Sequence, residues 1–512
     1  MSYNPPYQSG VGDMSERDLK SNLSPALFWA LFGALSILTV LPFWTFRYPV
    51  LADFPQHLAR WFVLYRIHDP AFRFSSYYTP DWGLHPYILL DIFGVWLQRI
   101  LSIDITGRCV ATICVLSVPF ATLFFLRKAA PGNDSLALFG FLIALNPLLL
   151  MGFLENELSL GLCVFVVGLW VSYCESPQQL RVGLMIVVGI LLVYLTHIIG
   201  FALVGLATGF YCLALKRPLR RLVELGLFAL PALALFTFNM RLLLGGGNLH
   251  YGGRTAWDKF RNLVYPFRIF SRLEDLIMLA ALAAVLFLLF QNREQIQWQK
   301  AWIIVCILLL LIYVCAPGEF GGGYFDVRIM PLVYILALAL VRIRKMPRTL
   351  TALIVLTVLF RCGSIEMLFR SKQHSLEERT LAFQAIPSGA RVLPVVDINP
   401  EGVPSLVGNG FIHHIAYGVI RRGFLIPTIH SVPGLQPLRV TGARYCPNSP
   451  NASCEVVSPE DTDWGQVAKY YDYLWVDTYP SSIPYVDSIA DRVFSNGTVF
   501  VYRVRRPSAL SY

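Results

Sequence analysis

Residues 136–174 read LALFGFLIALNPLLLMGFLENELSLGLCVFVVGLWVSYC, two apolar runs (136–154 and 158–174) hinged at Glu155-Asn156-Glu157. A helix crosses the hydrocarbon core of a bilayer in about 20 residues at about 1.5 Å each. Two such runs joined by three polar residues read as adjacent spans, with the acids at one membrane boundary. Working outward, the same criterion marks 25–45, 108–126, 183–197, 199–215, 222–242, 274–291, 301–316, 329–342 and 349–369. Residues 86–102, PYILLDIFGVWLQRILS, are shorter and carry Asp91 and Arg99, which suits an interfacial or re-entrant helix as well as a span. The expected fold class is an α-helical polytopic membrane protein of about 11 to 12 spans.

Composition agrees. The chain is 55% hydrophobic and 14% charged, with a mean hydropathy of +0.56, whereas a soluble domain is about one quarter charged. The 14% aromatic content excludes a disordered chain. The net charge of +10 comes from Lys and Arg set between apolar runs, not gathered on a solvent face among stacking aromatics. The excess therefore reads as a topology signal, with the bilayer and no nucleic acid as partner.

Four connections are basic: Arg127/Lys128, Lys216/Arg217/Arg220/Arg221, Arg293/Lys300 and Arg342/Arg344/Lys345/Arg348. Basic loops stay in the cytoplasm. The turns at Glu155–Glu157, His197, 243–273 and 317–328, and everything after residue 369, then face the other side. The 243–273 loop is basic as well, but the rule weakens for long loops. With the N-terminus cytoplasmic and 86–102 not crossing, the first loop (46–107) lies entirely outside. The tail 1–24 is polar, and no small-residue cleavage pattern follows Leu41, so 25–45 is expected to be an uncleaved anchor.

After the 25–369 membrane domain the composition turns mixed and polar. Strand-like runs ARVLPVV (390–396), YDYLWVD (471–477) and TVFVYRV (498–504), with a helix candidate SLEERTLAFQAI (375–386), predict a small extracytoplasmic α/β domain over 370–512. Cys446 and Cys454 there are close enough for a disulfide loop in an oxidising compartment. The other eight cysteines lie in or beside apolar runs as small hydrophobes. Asn451-Ala-Ser453 and Asn496-Gly-Thr498 match glycosylation sequons.

Ionisable residues at membrane depth cost about 2.5–3.5 kcal/mol each, so clusters there need a reason. Four fall on the outer side: Asp53, His57 and Arg60 in LADFPQHLAR; Glu155, Asn156 and Glu157; His197 in LTHIIG; and Asp326 with Arg328 in GGGYFDVRIMP. Each has a plainer reading: Asp53 as a helix N-cap, Glu155 and Glu157 as a solvated turn, His197 as a packed, hydrogen-bonded side chain, Arg328 as a snorkelling residue. Their shared face is what suits them to an anionic ligand or a divalent metal ion. In the outer domain His413, His414 and His430 are the residues that could bind a metal, though they lack the paired spacing of metal ligands. Catalytic motifs such as HExxH, a Walker loop or GxSxG are absent from the sequence.

This pattern resembles the GT-C integral membrane glycosyltransferases, which use polyprenyl-phosphate-linked sugars and include protein mannosyltransferases and lipid A aminoarabinose transferases. The resemblance rests on a first span followed by a long outer loop with an early acid (Asp53), a second acidic turn (Glu155 and Glu157), many spans and a C-terminal outer domain. It implies Asp53 as general base or acceptor-positioning carboxylate, Glu155 or Glu157 helping to hold a divalent ion or the donor, and Arg328 on the donor phosphate. His57, Arg60, Asn156, His197 and Asp326 are the further substrate-binding candidates. Two features depart from the family: Asp53 is followed by Phe54 where many members pair two acids, and the WWDYG signature is missing, which argues against asparagine-linked transfer. The expected protein is a multi-pass transferase of the bacterial inner membrane, its site facing the periplasm or another outer compartment, acting on a polyprenyl-phosphate sugar and a lipid, glycan or protein acceptor. A transporter or flippase is the first rival; transporters carry internal repeats and midplane charges, whereas these acids sit at span ends. A noncatalytic envelope protein is the second.

Overall fold

The structure, a computed structural model, describes residues 23–506 apart from 177–178, 216–217, 246–253, 269–270, 319–323, 397–410, 433, 447–453, 455, 457 and 478. The helices in chain order are α1 Pro25–Thr45, α2 Phe54–Arg66, α3 Ile88–Leu97, α4 Ile103–Ala129, α5 Phe139–Ala144, α6 Pro147–Leu150, α7 Leu154–Glu175, α8 Leu180–Thr196, α9 Ile198–Leu213, α10 Pro218–Gly245, α11 Ala256–Asn262, α12 Arg272–Gln291, α13 Lys300–Cys315, α14 Ile329–Ala337, α15 Arg348–Leu381, α16 Ala416–Arg422, α17 Trp464–Tyr470 and α18 Ile483–Ile489. Six of them (α1, α4, α7, α10, α12 and α15) are long and apolar enough to cross a membrane; α3, α8, α9 and α13 are shorter apolar helices. The protein is a multi-pass membrane protein.

The centre of the bundle is α4 against α7, buried along 61% and 72% of their apolar stretches. Small residues let membrane helices approach closely, and Gly161 of α7 shows it: a Cβ there would lie 2.2 Å from the Ser117 hydroxyl of α4. At the periphery, α10 and α12 are buried along only 11% and 6% and present Phe238, Leu286, Phe287 and Phe290 outward, as helices facing lipid do.

Two expected spans take another form. The run 136–154 breaks at Asn146-Pro147, because the residue before proline is pushed out of the α region. Asn146 is extended (ψ 168), and its side chain caps α6 by accepting from the Leu148 and Leu149 amides. The run 329–342 is helical only to Ala337 and ends in β3 (Val341–Ile343), paired antiparallel with β2 (Ile296–Trp298). Asn133 bonds the Val341 carbonyl (2.6 Å) and the Ile343 amide (3.2 Å). Three of the basic connections therefore meet at one end of the bundle.

At the opposite end, the first loop is ordered around α2, β1 (Tyr78–Pro80) and α3. Ten residues of α3 rise about 15 Å, half the thickness of the hydrocarbon core, so this helix by itself is too short to span it. β1 pairs with β5 (Leu438–Val440) of the C-terminal region, and the Tyr78 hydroxyl bonds both the amide and the carbonyl of Ile426. That region carries a four-stranded sheet in the order β4-β6-β8-β7 (β4 Val392–Val396, β6 Tyr473–Asp477, β7 Ala490–Ser495, β8 Val499–Val504), with β4–β6 parallel and the other pairs antiparallel. β4, β6 and β8 fall on the three predicted runs; β7, ADRVFS, has no alternating pattern and was not expected. The single helix α15 runs unbroken from the bundle into this region, where buried Arg379 forks onto Asp477 of β6 at 2.9 Å twice. Cys446 and Cys454 form a disulfide. Asn451 lies outside the described residues; the Asn496 side chain donates to the Glu378 carbonyl.

Candidate active site

Asp53 sits where the first loop touches the second acidic turn. The Ala52 and Asp53 amides donate to the Leu150 and Met151 carbonyls, each at 3.0 Å. Gly152 makes this approach possible: its φ is +82°, and a Cβ would lie 2.6 Å from the Asp53 nitrogen. Asp53 occupies the N-cap position of α2, yet its side chain makes no cap bond. The carboxylate is instead turned to His413 Nε2, 3.3 Å away.

Behind it lies a closed cluster. His57 and Arg60, one turn apart on α2, face Glu155 at the start of α7 and Asp91 of α3. Arg60 Nε donates to Asp91 Oδ1 (2.6 Å) and its Nη2 approaches Glu155 Oε1 (3.4 Å), while Trp61 Nε1 donates to the same Asp91 oxygen (2.8 Å). Arg60 and Asp91 are wholly buried. Burial and the Arg60 charge push the His57 imidazole down to about 4, so it is neutral at neutral pH. Its Nε2 lies 3.1 Å from the Gly152 carbonyl, which assigns the proton there and turns the Nδ1 lone pair to Arg60 Nη2 at 3.2 Å. The cluster holds α2, α3 and α7 in one arrangement.

In front lies a more open group. Asp53, His413 and His430 bring one carboxylate oxygen and two ring nitrogens within 4.8 Å of one another, the only such set of His, Cys, Asp or Glu among the described residues. Burial pushes the Asp53 carboxyl up, but the His430 and His413 imidazoles and the hydrogen bond to His413 more than offset it and hold it at about 2. Burial pushes His430 down to about 3. His414, next in sequence, is not part of the group; it stacks on Phe383 and contacts Thr380 Oγ1 at 3.1 Å.

Arg328 closes the third side. Its Nη1 lies 2.6 Å from His197 Nε2, and its guanidinium sits 4.6 Å from the Phe153 ring centroid. The His197 Nδ1 accepts the Ile199 amide as N-cap of α9, and its ring packs on Tyr87. Arg328 Nε is buried without a hydrogen-bond partner, and Asp53 and Glu155 are among the charges it feels. A half-buried guanidinium with a spare donor beside these groups suits an anion.

Other expected residues go elsewhere. Asp326 is wholly buried and paired with Lys259 (2.8 Å) and Arg254 (3.6 Å), so it anchors α11 and its approach and not Arg328. The proposed metal pair Glu155/Glu157 does not assemble, because residues i and i+2 of a helix do not share a face. Glu155 joins Arg60, whereas Glu157 turns inward to Asn146 (2.6 Å) and supports the break at Asn146-Pro147. Asn156 lies between them, 8% exposed. The sequence reading missed Asp91, visible only as a charge in an apolar run, and Gln56 and Tyr87, and it set His413 and His430 aside for want of paired spacing because their partners lie far away in sequence.

No protein-family model matches this chain, and no curated protein does. Among solved structures, ArnT from Cupriavidus metallidurans in the apo state superposes with a TM-score of 0.57 at 11% identity, over 93% of this chain and 97% of that one. The same protein bound to undecaprenyl phosphate gives 0.54 at 10% identity over the same shares. Correspondence over nearly the whole of both chains shows that this chain shares the fold of the ArnT structures.

Proposed function

We propose that the protein is a membrane glycosyltransferase that moves a sugar from a polyprenyl-phosphate-linked donor to a lipid, glycan or protein acceptor at the face carrying the C-terminal domain. The observation that carries this reading is the convergence of a carboxylate that makes no helix-cap bond (Asp53) and a half-buried guanidinium with a spare donor (Arg328) at one end of the bundle, in an ArnT-like fold. In transfer, an acceptor oxygen bonds to the anomeric carbon, the carbon–oxygen bond to the phosphate breaks, and the acceptor proton passes to Asp53. A carboxylate within hydrogen-bond reach serves as that base. The leaving polyprenyl phosphate is anionic, and Arg328 meets the charge as it develops. The undecaprenyl phosphate in the ArnT structure supports this donor class. His57, Arg60 and Glu155 position the Asp53 segment, and His197 orients Arg328.

The four basic connections support a cytoplasmic location for the opposite end, and hence a site facing the periplasm of a bacterial inner membrane. The test is native mass spectrometry of the gently solubilised chain, wild type and Arg328→Ala. A polyprenyl phosphate or its glycosylated form carried by the wild type and lost from the variant is the expected result. Bulk phospholipid alone on both overturns the reading in favour of transport.

A further inference from the structure

We infer that Asp53, His413 and His430 form a zinc-type metal site that pins the C-terminal domain to the first loop. Three observations point to it. The three ligand atoms lie within 4.8 Å of one another, close enough for one ion to reach all of them after a small contraction. The set comes from two remote stretches, Asp53 before α2 and His413 and His430 flanking α16, so an ion there joins segments about 360 residues apart. His430 makes no hydrogen bond among the described residues, and Asp53 leaves its N-cap bond unmade.

Gln56 adds to these. It is wholly buried, its Nε2 lies 3.1 Å from His413 Nδ1, and its Oε1 has no hydrogen-bond partner. Amide oxygen and nitrogen are assigned from the network. With the amide turned over and an ion in place, Gln56 Oε1 accepts a hydrogen bond from His413 Nδ1, which satisfies the orphaned oxygen and leaves His413 Nε2, otherwise the donor to Asp53, to bind the metal. That is the arrangement metal-binding histidines adopt: one ring nitrogen on the ion, the other donating to a carbonyl.

Two imidazoles and one carboxylate suit zinc or a similar transition ion and disfavour magnesium and calcium, which take oxygen ligands. Three protein ligands also leave a fourth position open to water or a substrate oxygen. The inference does not rest on the transfer reaction.

The test uses the full-length chain in detergent, stripped with chelator, loaded with Zn2+ and desalted, with bound metal counted by elemental mass spectrometry and thermal unfolding followed with and without Zn2+. Wild type is expected to retain about one zinc per chain, unmoved by millimolar Mg2+, and to unfold at higher temperature when loaded. His430→Ala is expected to lose both effects, Gln56→Leu to bind about 10–100-fold more weakly, and His374→Ala, an exposed control on α15, to match wild type. Should His430→Ala fold poorly, His430→Asn is read in the same way. A wild type that retains no zinc, or a His430 variant that retains as much as wild type, overturns the site. Zinc binding without any copurified polyprenyl phosphate leaves the site standing and removes the transfer reading; the reverse pairing does the opposite.

Discussion

Two groups of ionisable side chains lie on either side of the start of α2, and they differ in one respect. Behind it, Arg60, Asp91, Glu155 and His57 are buried and bonded to one another, Arg60 and Asp91 with no exposed side-chain surface. In front, Asp53 and His413 keep 17% and 11% of their side-chain surface exposed and touch across a 3.3 Å gap. Charges that neutralise each other out of water have nothing left for a ligand, but they set geometry, since removing one partner strands the other. Charges with residual solvent access can still exchange partners. The closed group is therefore a scaffold, and the open group is where an acceptor or an ion binds.

The contrast can be broken first from the closed side. Asp91→Ala leaves the Arg60 guanidinium without its strongest partner and Trp61 without an acceptor, at a cost of about 3–5 kcal/mol. A thermal unfolding scan of the purified variant should show a large drop in Tm, and an unchanged Tm would remove the scaffold role. From the open side, Asp53→Asn should leave the Tm of the metal-stripped protein near that of stripped wild type while sugar transfer falls by about 10²–10⁴-fold, or about 3–5 kcal/mol of barrier. Transfer at the wild-type rate in that variant contradicts the assignment of Asp53. The junction between the groups is probed by Gly152→Ala, which forces a side chain into positive φ and against the Asp53 amide. A loss of about 1–3 kcal/mol is expected, with activity lowered through the displaced Asp53; equal Tm and activity would show that the contact is not needed. The smallest effect belongs to an exposed pair. Asp104→Asn breaks its fork with Arg421, and the resulting shift in Tm should correspond to less than about 1 kcal/mol.

The reading of LADFPQHLAR shows how far sequence alone carries. The i, i+3 spacing of His57 and Arg60 puts them on one face of a helix, and in α2 the two side chains meet. Whether Asp53 caps that helix or serves another purpose was undecidable from ten residues, because the answer depends on His413, some 360 positions away. The same limit hid Asp91, whose burial at the end of a ten-residue helix makes sense only beside Arg60. The acidic turn misled for a local reason: Glu155 and Glu157 are neighbours in sequence but not on a helix surface. The broken run at 136–154 carried its signal openly in Asn146-Pro147, outweighed by the apolar pattern around it.

The sequence by itself determined the approximate limits of most apolar helices, the position of the C-terminal sheet's three regular strands, and the set of basic connections, three of which the structure gathers at one end. These follow from periodicity, hydropathy and local charge, which act over a few residues and need no knowledge of neighbours. Only the tertiary structure decided which ionisable groups neutralise one another and which remain available. The field at a buried group is set by whatever packs within a few ångströms of it, and here those partners come from α2, α3, α7, the loop before α14 and the segments around α16, which no spacing in the sequence connects.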